Sequence, residues 1–382
     1  MRLLSFVVFN ILETILRFSP IPCKTGLIKI GNPGEDSPVF LTCNYHLTVQ
    51  RVKRALKRMD AFLLVANSRG INVWCAAAGG HLANHEVISV LKTSGIENLV
   101  AHKKVILPQL AAPGVEAKII KQKTGWRVIW GPVYAKDIPH FLKNKLKKTK
   151  GMSGVTFPRV KRLEMAVAWA FPLSVVLSLV MIIFWPKSVL TFILLVWGLS
   201  LITFLSFPIY FRFISSEGEK AGSFFSRIKS MSFQLLIWIG IVLALFVYGI
   251  LAKDFSWGVL LRWSIISFVV IFILSFDLAG STPLLRGGLL AEKRQKVVLD
   301  KRGCRGAGFC QQVCPRNCFE VDKMRHTASI ISRERCVKCG ACIVQCPFNA
   351  LHFESSGGEI ILPEVTRRFK LDLRGSRLKK IV

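Results

Sequence analysis

Four long apolar runs follow one another between residues 165 and 276, and they limit the fold more than any other feature of the sequence. They are Met165–Trp185, Val189–Phe211, Phe233–Leu251 and Trp257–Phe276. A helix of about 20 apolar residues crosses the hydrocarbon core of a bilayer. One such run could be a buried helix of a soluble core, but four in succession are too many for one core. The expectation is a four-helix transmembrane domain over residues 163–283. Pro172 and Pro208 are tolerable inside spans because neighbouring helices re-satisfy the freed backbone groups. Arg262, near the start of the fourth run, reaches the interface with its charged head.

Charge is distributed around these runs. The 382 residues carry 53 Lys+Arg and 22 Asp+Glu, for a net charge of +31. Residues 1–162 hold +18, residues 163–283 only +2, and residues 284–382 hold +11. Lys and Arg cluster before the first run, between the second and third, and after the fourth; the other two turns have only Lys187 and Lys253. Cytoplasmic loops carry the Lys/Arg excess. This predicts a multi-pass protein of the cytoplasmic (inner) membrane with both termini cytoplasmic and the surplus charge beside anionic lipid. No basic–aromatic recognition motif supports nucleic acid as a partner. Met1–Phe18 is apolar but interrupted by Asn10, Glu13 and Arg17. It reads as an amphipathic helix lying on the membrane or on the first domain rather than a cleaved signal.

Eight of the 11 cysteines fall within 304–346, which points to metal ligation in a reducing compartment rather than to disulfides. Cys336-x2-Cys339-x2-Cys342-x3-Cys346-Pro347 is the run that bacterial ferredoxins use to hold iron–sulfur clusters. A structural zinc site is the alternative, but these ordered spacings with a following proline differ from the usual zinc patterns. A second copy lies upstream, Cys304-x5-Cys310-x3-Cys314-Pro315, with Ala307 where the second Cys should stand. The fourth Cys of each run ligates the other cluster. One site is then complete, with Cys314, Cys336, Cys339 and Cys342 around a [4Fe–4S] cluster. The other has three thiolates, Cys304, Cys310 and Cys346, suited to a [3Fe–4S] cluster or to a [4Fe–4S] cluster with one iron lacking a Cys ligand. This part, residues 284–382, resembles seven-iron ferredoxins of α+β fold, whose extra Cys corresponds to Cys318. The resemblance implies a free thiol packed by a cluster; filling the vacancy at Ala307 is its other possible role. A domain of this kind passes single electrons to or from something nearby.

Residues 20–162 alternate between strand and helix patterns. Ala61–Ala66, Val105–Leu107 and Trp126–Trp130 read as strands, and Val49–Met59 and His81–Thr93 as helices. Alternation predicts an α/β domain with a mainly parallel sheet. There is no G-x-G-x-x-G and no P-loop, nor the Asp-x-His-x-x-Gly of corrinoid proteins that bind cobalt through His. The segment Gly70–Gly80 instead holds one Cys among Trp and small residues, just before a helix. Small residues let a flat ligand approach the backbone, although free Cys is often simply buried.

Asn72-Val73-Trp74-Cys75-Ala76-Ala77-Ala78-Gly79 resembles the cap motif of the mercury-methylating corrinoid proteins, within the corrinoid iron–sulfur protein superfamily. The likeness extends upstream through Gly31-Asn32-Pro33, Asp36–Val39 and Asn44-Tyr45. Downstream it includes Ile106–Leu110, Gly114-Val115 and Gly131–Val133. The ferredoxin end is similar to that system's partner ferredoxin, here fused. The resemblance implies that residues 1–162 form a corrinoid-binding domain with Cys75 as the lower cobalt ligand. Asn72, Val73, Trp74, Ala76, Ala77, Ala78 and Gly79 would line the cobalamin-type corrinoid. A thiolate below the cobalt would weaken the methyl bond on the opposite face, as a Cys ligand pushes electron density in haem proteins. The implied activity is a corrinoid-dependent methyltransferase, fed by a methyl-donor carrier protein and an external reductant, with Hg(II) as acceptor. Three departures bear on the acceptor: Ala78-Gly79 replaces Gly-Lys, the tail Leu371–Val382 lacks a Cys pair, and four spans stand against the family's five. His81 and His85 at helical spacing are a further candidate metal pair. The alternatives are a membrane electron-transfer protein without catalysis and a corrinoid-binding protein without turnover.

Overall fold

The computed structural model describes residues 11–16, 19, 21–214, 224–251, 253, 255–278, 295–355 and 358–368. The chain divides into two compact units. One joins Pro20–Thr156 to Ala291–Val382, and the other joins Met1–Ser19 to Phe157–Leu290. The α/β and ferredoxin parts, expected as separate domains, are thus one packed body. The expected boundary at residue 162 falls inside a helix that starts at Arg159.

In the first unit a five-stranded sheet runs in the order β1-β3-β2-β4-β5. The strands are β1 Gly26–Ile30, β2 Val39–Cys43, β3 Ala61–Ala66, β4 Lys104–Pro108 and β5 Arg127–Gly131. β2, β3, β4 and β5 are parallel, and β1 closes the edge antiparallel to β3. Every residue of β2 and β3 is buried, as expected of central strands covered on both faces. Alternate side chains feed two separate cores. Val39, Leu41, Phe62, Leu64, Val105 and Leu107 point to one layer. Phe40, Leu63, Val65 and Ile106 point to the other, under helices His46–Ala55 and Ile138–Lys143. The strand order reverses between β2 and β4, and the crevice beyond the carboxyl ends of strands at such a reversal is the favoured ligand position of open α/β sheets.

The ferredoxin part adds a three-stranded sheet, β10-β9-β6, and a hairpin, β7–β8. These are β6 Gln295–Leu299, β7 Phe319–Asp322, β8 Thr327–Ile330, β9 Leu351–Ser355 and β10 Ile360–Ile361. Residues 284–294 and the tail Leu371–Val382 lie outside the described residues.

In the second unit four helices are long and apolar enough to cross a membrane, Arg159–Phe184, Pro186–Leu205, Gln234–Leu251 and Trp257–Leu274, and a third or less of each is buried. The buried contacts are mainly apolar, with Phe192, Leu199, Phe204 and Leu274 among them, and a few polar groups join them. Ser200 Oγ donates to the Ala166 carbonyl at 2.8 Å, and Trp238 Nε1 to that of Ser264 at 2.8 Å, the kind of interhelical bonding found in lipid. The second apolar run, expected to continue to Phe211, breaks instead. Helix Val189–Leu205 ends at Ser206 and a new helix, Phe207–Ile214, follows. Pro208 has no N–H and would clash with the carbonyl four residues back, so it sits in the first turn of the second piece. Pro172 stays inside its helix. Of the expected amphipathic N-terminal helix, residues 11–15 are helical, with Ile11 and Leu12 exposed and Glu13 and Thr14 buried.

Candidate functional site

Cys75 lies in the first turn of its own short helix, Val73–Gly79, and not ahead of the next one. Asn72 caps that helix, accepting the Cys75 N–H on Oδ1 at 3.0 Å. Gly80 ends it in the left-handed region at φ +79°, which glycine adopts without steric cost. The loop before the helix is tied down by Asn44, just past β2. Its Oδ1 accepts from Ser68 N at 2.8 Å, Ser68 Oγ at 2.9 Å and Gly70 N at 3.0 Å. One buried side chain thus links the strand-order reversal to the cysteine helix.

Burial sorts the residues of the motif. Val73, Ala76 and Ala77 sink into the core. They support the helix from below. Cys75, Ala78 and Gly79 share the opposite face, being three and four positions apart. Cys75 and Ala78 are half-buried and Gly79 is exposed. Cys75 thus stands among small residues on this face. Trp74 and Asn72 flank it, both half-buried. His81 is outside helix Asn84–Thr93 while His85 is inside it. The two therefore do not share a helical face, and among the described residues no three His, Cys, Asp or Glu side chains converge on a single-ion site.

The two cysteine runs adopt the same backbone 32 residues apart. Gly306 and Lys338, Gly308 and Gly340, and Asn317 and Asn349 pair as left-handed residues, with φ of 66° and 53°, 79° and 78°, and 51° and 55°. Cys314 and Cys346 end their helices at φ/ψ of −72°/114° and −73°/115°. Ala307 therefore occupies the structural place of Cys339, and only its thiolate is missing. Cys310, pushed up to about 12 by burial, also feels Cys304 and Cys346. Cys342, raised by burial, feels Cys336, Cys339, Cys314 and also Cys310. Backbone N–H groups of Ala328 and Lys338 donate to Cys304 and Cys336 sulfurs at 3.4 Å each. Two closely packed cysteine runs are a donor set that suits iron–sulfur clusters.

Cys318 is fully buried. Its thiol is hydrogen-bonded to Cys314 and Cys336, which raises it and holds both partners down. It thus stands against the complete site, while Ala307 is exposed elsewhere.

The α/β and ferredoxin parts meet through residues that carry no sequence signal. Gln345 is 7% exposed. It donates to the carbonyls of Ala112 at 2.8 Å and Val115 at 2.6 Å, and accepts the Ala117 N–H at 3.3 Å. Lys148 donates to Gln109 Oε1 and to the Gln312 carbonyl at 2.7 Å. Burial lowers its pKa to about 7. Val313, Cys339 and Ala341 share one core with the cysteine helix and the sheet. Replacing Gln345 with Ala should leave three backbone groups unpaired, each costing about 1–3 kcal/mol where it stays dry. Faster amide exchange across 112–117, with iron content unchanged, is the expected result; exchange equal to the parent's would show that Gln345 does not hold the seam.

Residues 14–142 match the family model described as the CO dehydrogenase/acetyl-CoA synthase delta subunit, and residues 329–352 match that of the 4Fe-4S binding domain. Residues of this chain are 41% identical over 125 positions to the acetyl-CoA decarbonylase/synthase complex subunit gamma of Methanothermobacter thermautotrophicus, covering 32% of this chain and 27% of that protein. The N-terminal domain is similar to corrinoid/iron–sulfur proteins. The large subunit of that name from Moorella thermoacetica is 31% identical over 129 residues, 33% of this chain and 28% of the relative. The gamma subunit of Archaeoglobus fulgidus is 36% identical over 117 residues, 30% and 24% respectively. The chain therefore spans about a quarter of the length of these relatives.

Proposed function

We propose that this chain is a membrane-bound corrinoid protein that takes part in methyl transfer and is re-reduced by its own iron–sulfur domain. The observation that carries the reading is the half-buried Cys75, on a capped helix of small residues that shares its core with Cys339 of the ferredoxin part. A bound corrinoid supplies a cobalt centre that accepts and releases a methyl group. Cys75 would present its sulfur to the lower face of that centre. Ala78 and Gly79 leave room for the macrocycle to lie close, while Asn72 and Trp74 border it. Packing in the same core as Cys339 supports electron delivery from the ferredoxin part toward this domain.

The four apolar helices would sit in the cytoplasmic membrane with both large ends on the cytoplasmic side, following the Lys/Arg distribution. A methyl-donor carrier protein and an external reductant would dock there. Hg(II) is the acceptor that the motif resemblance favours, with Gly79 in place of a lysine as its main structural difference. The names of the relatives favour a subunit working beside other proteins.

Cobalt and iron measured in anaerobically purified full-length protein test the reading. About one cobalt with seven or eight irons per chain is expected, from one corrinoid and two clusters. Iron without cobalt, after supply of corrinoid, would leave a membrane electron-transfer protein instead. Corrinoid uptake without methyl product would leave a binding protein.

A further inference from the structure

A cavity of about 1450 Å3 opens with edge strand β5 and helix Ala117–Thr124 on one side and the ferredoxin part on the other. Both walls belong to the same compact unit. No residue of the cysteine helix Val73–Gly79 lines it. The volume exceeds the roughly 300–1,000 Å3 of ordinary small-molecule pockets, so there is room for far more than a single inorganic ion.

Its charge is one-sided. The lining holds nine Lys or Arg side chains against two carboxylates, Glu116 and Glu320. Glu116 is already engaged by Arg367 at 3.8 Å. Lys104, Lys118, Lys121 and Arg127 are exposed and make no ion pair among the described residues. Their placement adds repulsion. Lys104 and Arg127 are register partners on the parallel strands β4 and β5, so two like charges stand side by side on one face of the sheet, an unfavourable pairing. Lys118 and Lys121 are three positions apart on their helix, where side chains are neighbours and like charges again repel. Cations do protect edge strands from pairing with other chains, but of these four only Arg127 is on the edge strand. Lys148 also lines the cavity, half-buried. It donates to Gln109 Oε1 and to the Gln312 carbonyl, which leaves one of its three N–H donors for a ligand. Such a concave cationic surface concentrates anions. The same cavity has an apolar part that includes the half-buried Ile129, Leu146 and Phe309.

We propose that this cavity binds an organic polyphosphate, with its phosphates on Lys104, Lys118, Lys121 and Arg127 and its organic body against the apolar part of the lining. Cations spread over two strands and a helix suit several charges carried on one molecule. Three of the four are lysines, which hold phosphate as point charges, whereas planar carboxylates favour the bidentate fork of arginine. Bound phosphate relieves the repulsion that the unliganded fold carries, so binding adds to folding stability. The contacts involve neither the Cys75 face nor any cysteine ligand, and the proposal does not depend on the corrinoid reading.

The test uses full-length protein in detergent, purified anaerobically, with iron content confirmed in every variant. Calorimetry at near-physiological ionic strength, where long-range attraction is screened, reads the affinity for ADP, pyrophosphate, adenosine and citrate. ADP should bind at least about tenfold more tightly than adenosine and at least as tightly as pyrophosphate, and pyrophosphate should bind more tightly than citrate. A Lys118→Ala, Lys121→Ala double variant should bind ADP at least about tenfold more weakly; alanine is the best helix former, so the helix itself persists. A Lys53→Ala, Lys57→Ala double variant loses the same charge at exposed positions outside the cavity. It should bind ADP as the parent does, which separates this site from the general pull of a chain of net charge +31. Saturating ADP should raise the thermal transition of the parent and leave that of the cavity variant unmoved. No binding of ADP or pyrophosphate, equal ADP affinity in the two double variants, or adenosine bound as tightly as ADP would overturn the proposal. Citrate bound as tightly as pyrophosphate would overturn the choice of phosphate, and pyrophosphate bound more tightly than ADP would overturn the organic body. Cobalt is measured on the same samples, so a cobalt-free protein that binds ADP separates this site from the methyl-transfer reading.

Discussion

Cys75→Ala should lower methyl transfer at least about 100-fold, equivalent to about 2.7 kcal/mol of transition-state stabilisation, while corrinoid and iron contents stay within twofold of the parent. The thiol is half-buried on the ligand-accessible face of its helix, so truncation removes a sulfur without opening a core cavity. The helix itself is anchored by residues that the variant leaves intact. Asn72 still caps it through the Cys75 backbone N–H, and Val73, Ala76 and Ala77 still pack beneath. The visible spectrum of the bound corrinoid gives a second readout, because a lost lower ligand changes the cobalt absorption even before turnover. Methyl transfer equal to the parent's, with an unchanged spectrum, would remove Cys75 from the mechanism.

Gly114→Ala should be the most damaging single-methyl substitution near the site. A Cβ at Gly114 would lie 2.4 Å from the Leu82 carbonyl oxygen, 2.7 Å from that of Ala77 and 2.9 Å from the Ala77 Cα. All three are backbone atoms, so no side-chain rotation relieves the contact. Overpacking of this kind costs about 1–3 kcal/mol, and sometimes more. The strain would push helix Val73–Gly79 away from the 112–117 segment that Gln345 holds. Corrinoid retention should fall at least about tenfold, the equivalent of about 1.4 kcal/mol, and the thermal transition of the purified protein should drop. Gly34→Ala is the control, since nothing lies within 4 Å of its Cβ position. Retention in Gly114→Ala matching that control would show that the close approach has no role in binding.

Much of the local structure was legible in the residues. The fully buried run Ala61–Ala66 is a central parallel strand, because continuous apolar residues bounded by polar ones suit a sheet covered on both faces. The swapped cysteine grouping follows from two runs in one register, and the shared backbone geometry of Gly308 and Gly340 bears out the register. The cysteine helix was less legible. Gly70 and Gly79-Gly80 bracket it so tightly that seven residues gave too little periodicity to read. His81 seemed to belong to the next helix, yet the chain turns at Gly80 and that helix begins only at Asn84.

Sequence alone determined the features that depend on neighbours a few positions apart: four apolar helices, two cysteine runs in one register with Ala307 in the second-Cys position of one, and a small-residue motif around Cys75. Tertiary structure decided what those pieces do to one another. It placed Cys339 in the core of the sheet domain, set Gln345 against a segment 228 residues earlier, and turned Ala307 toward a cationic cavity. The physical reason is that local patterns report which face of an element is apolar, whereas single hydrogen bonds between distant segments leave no period, spacing or composition to read.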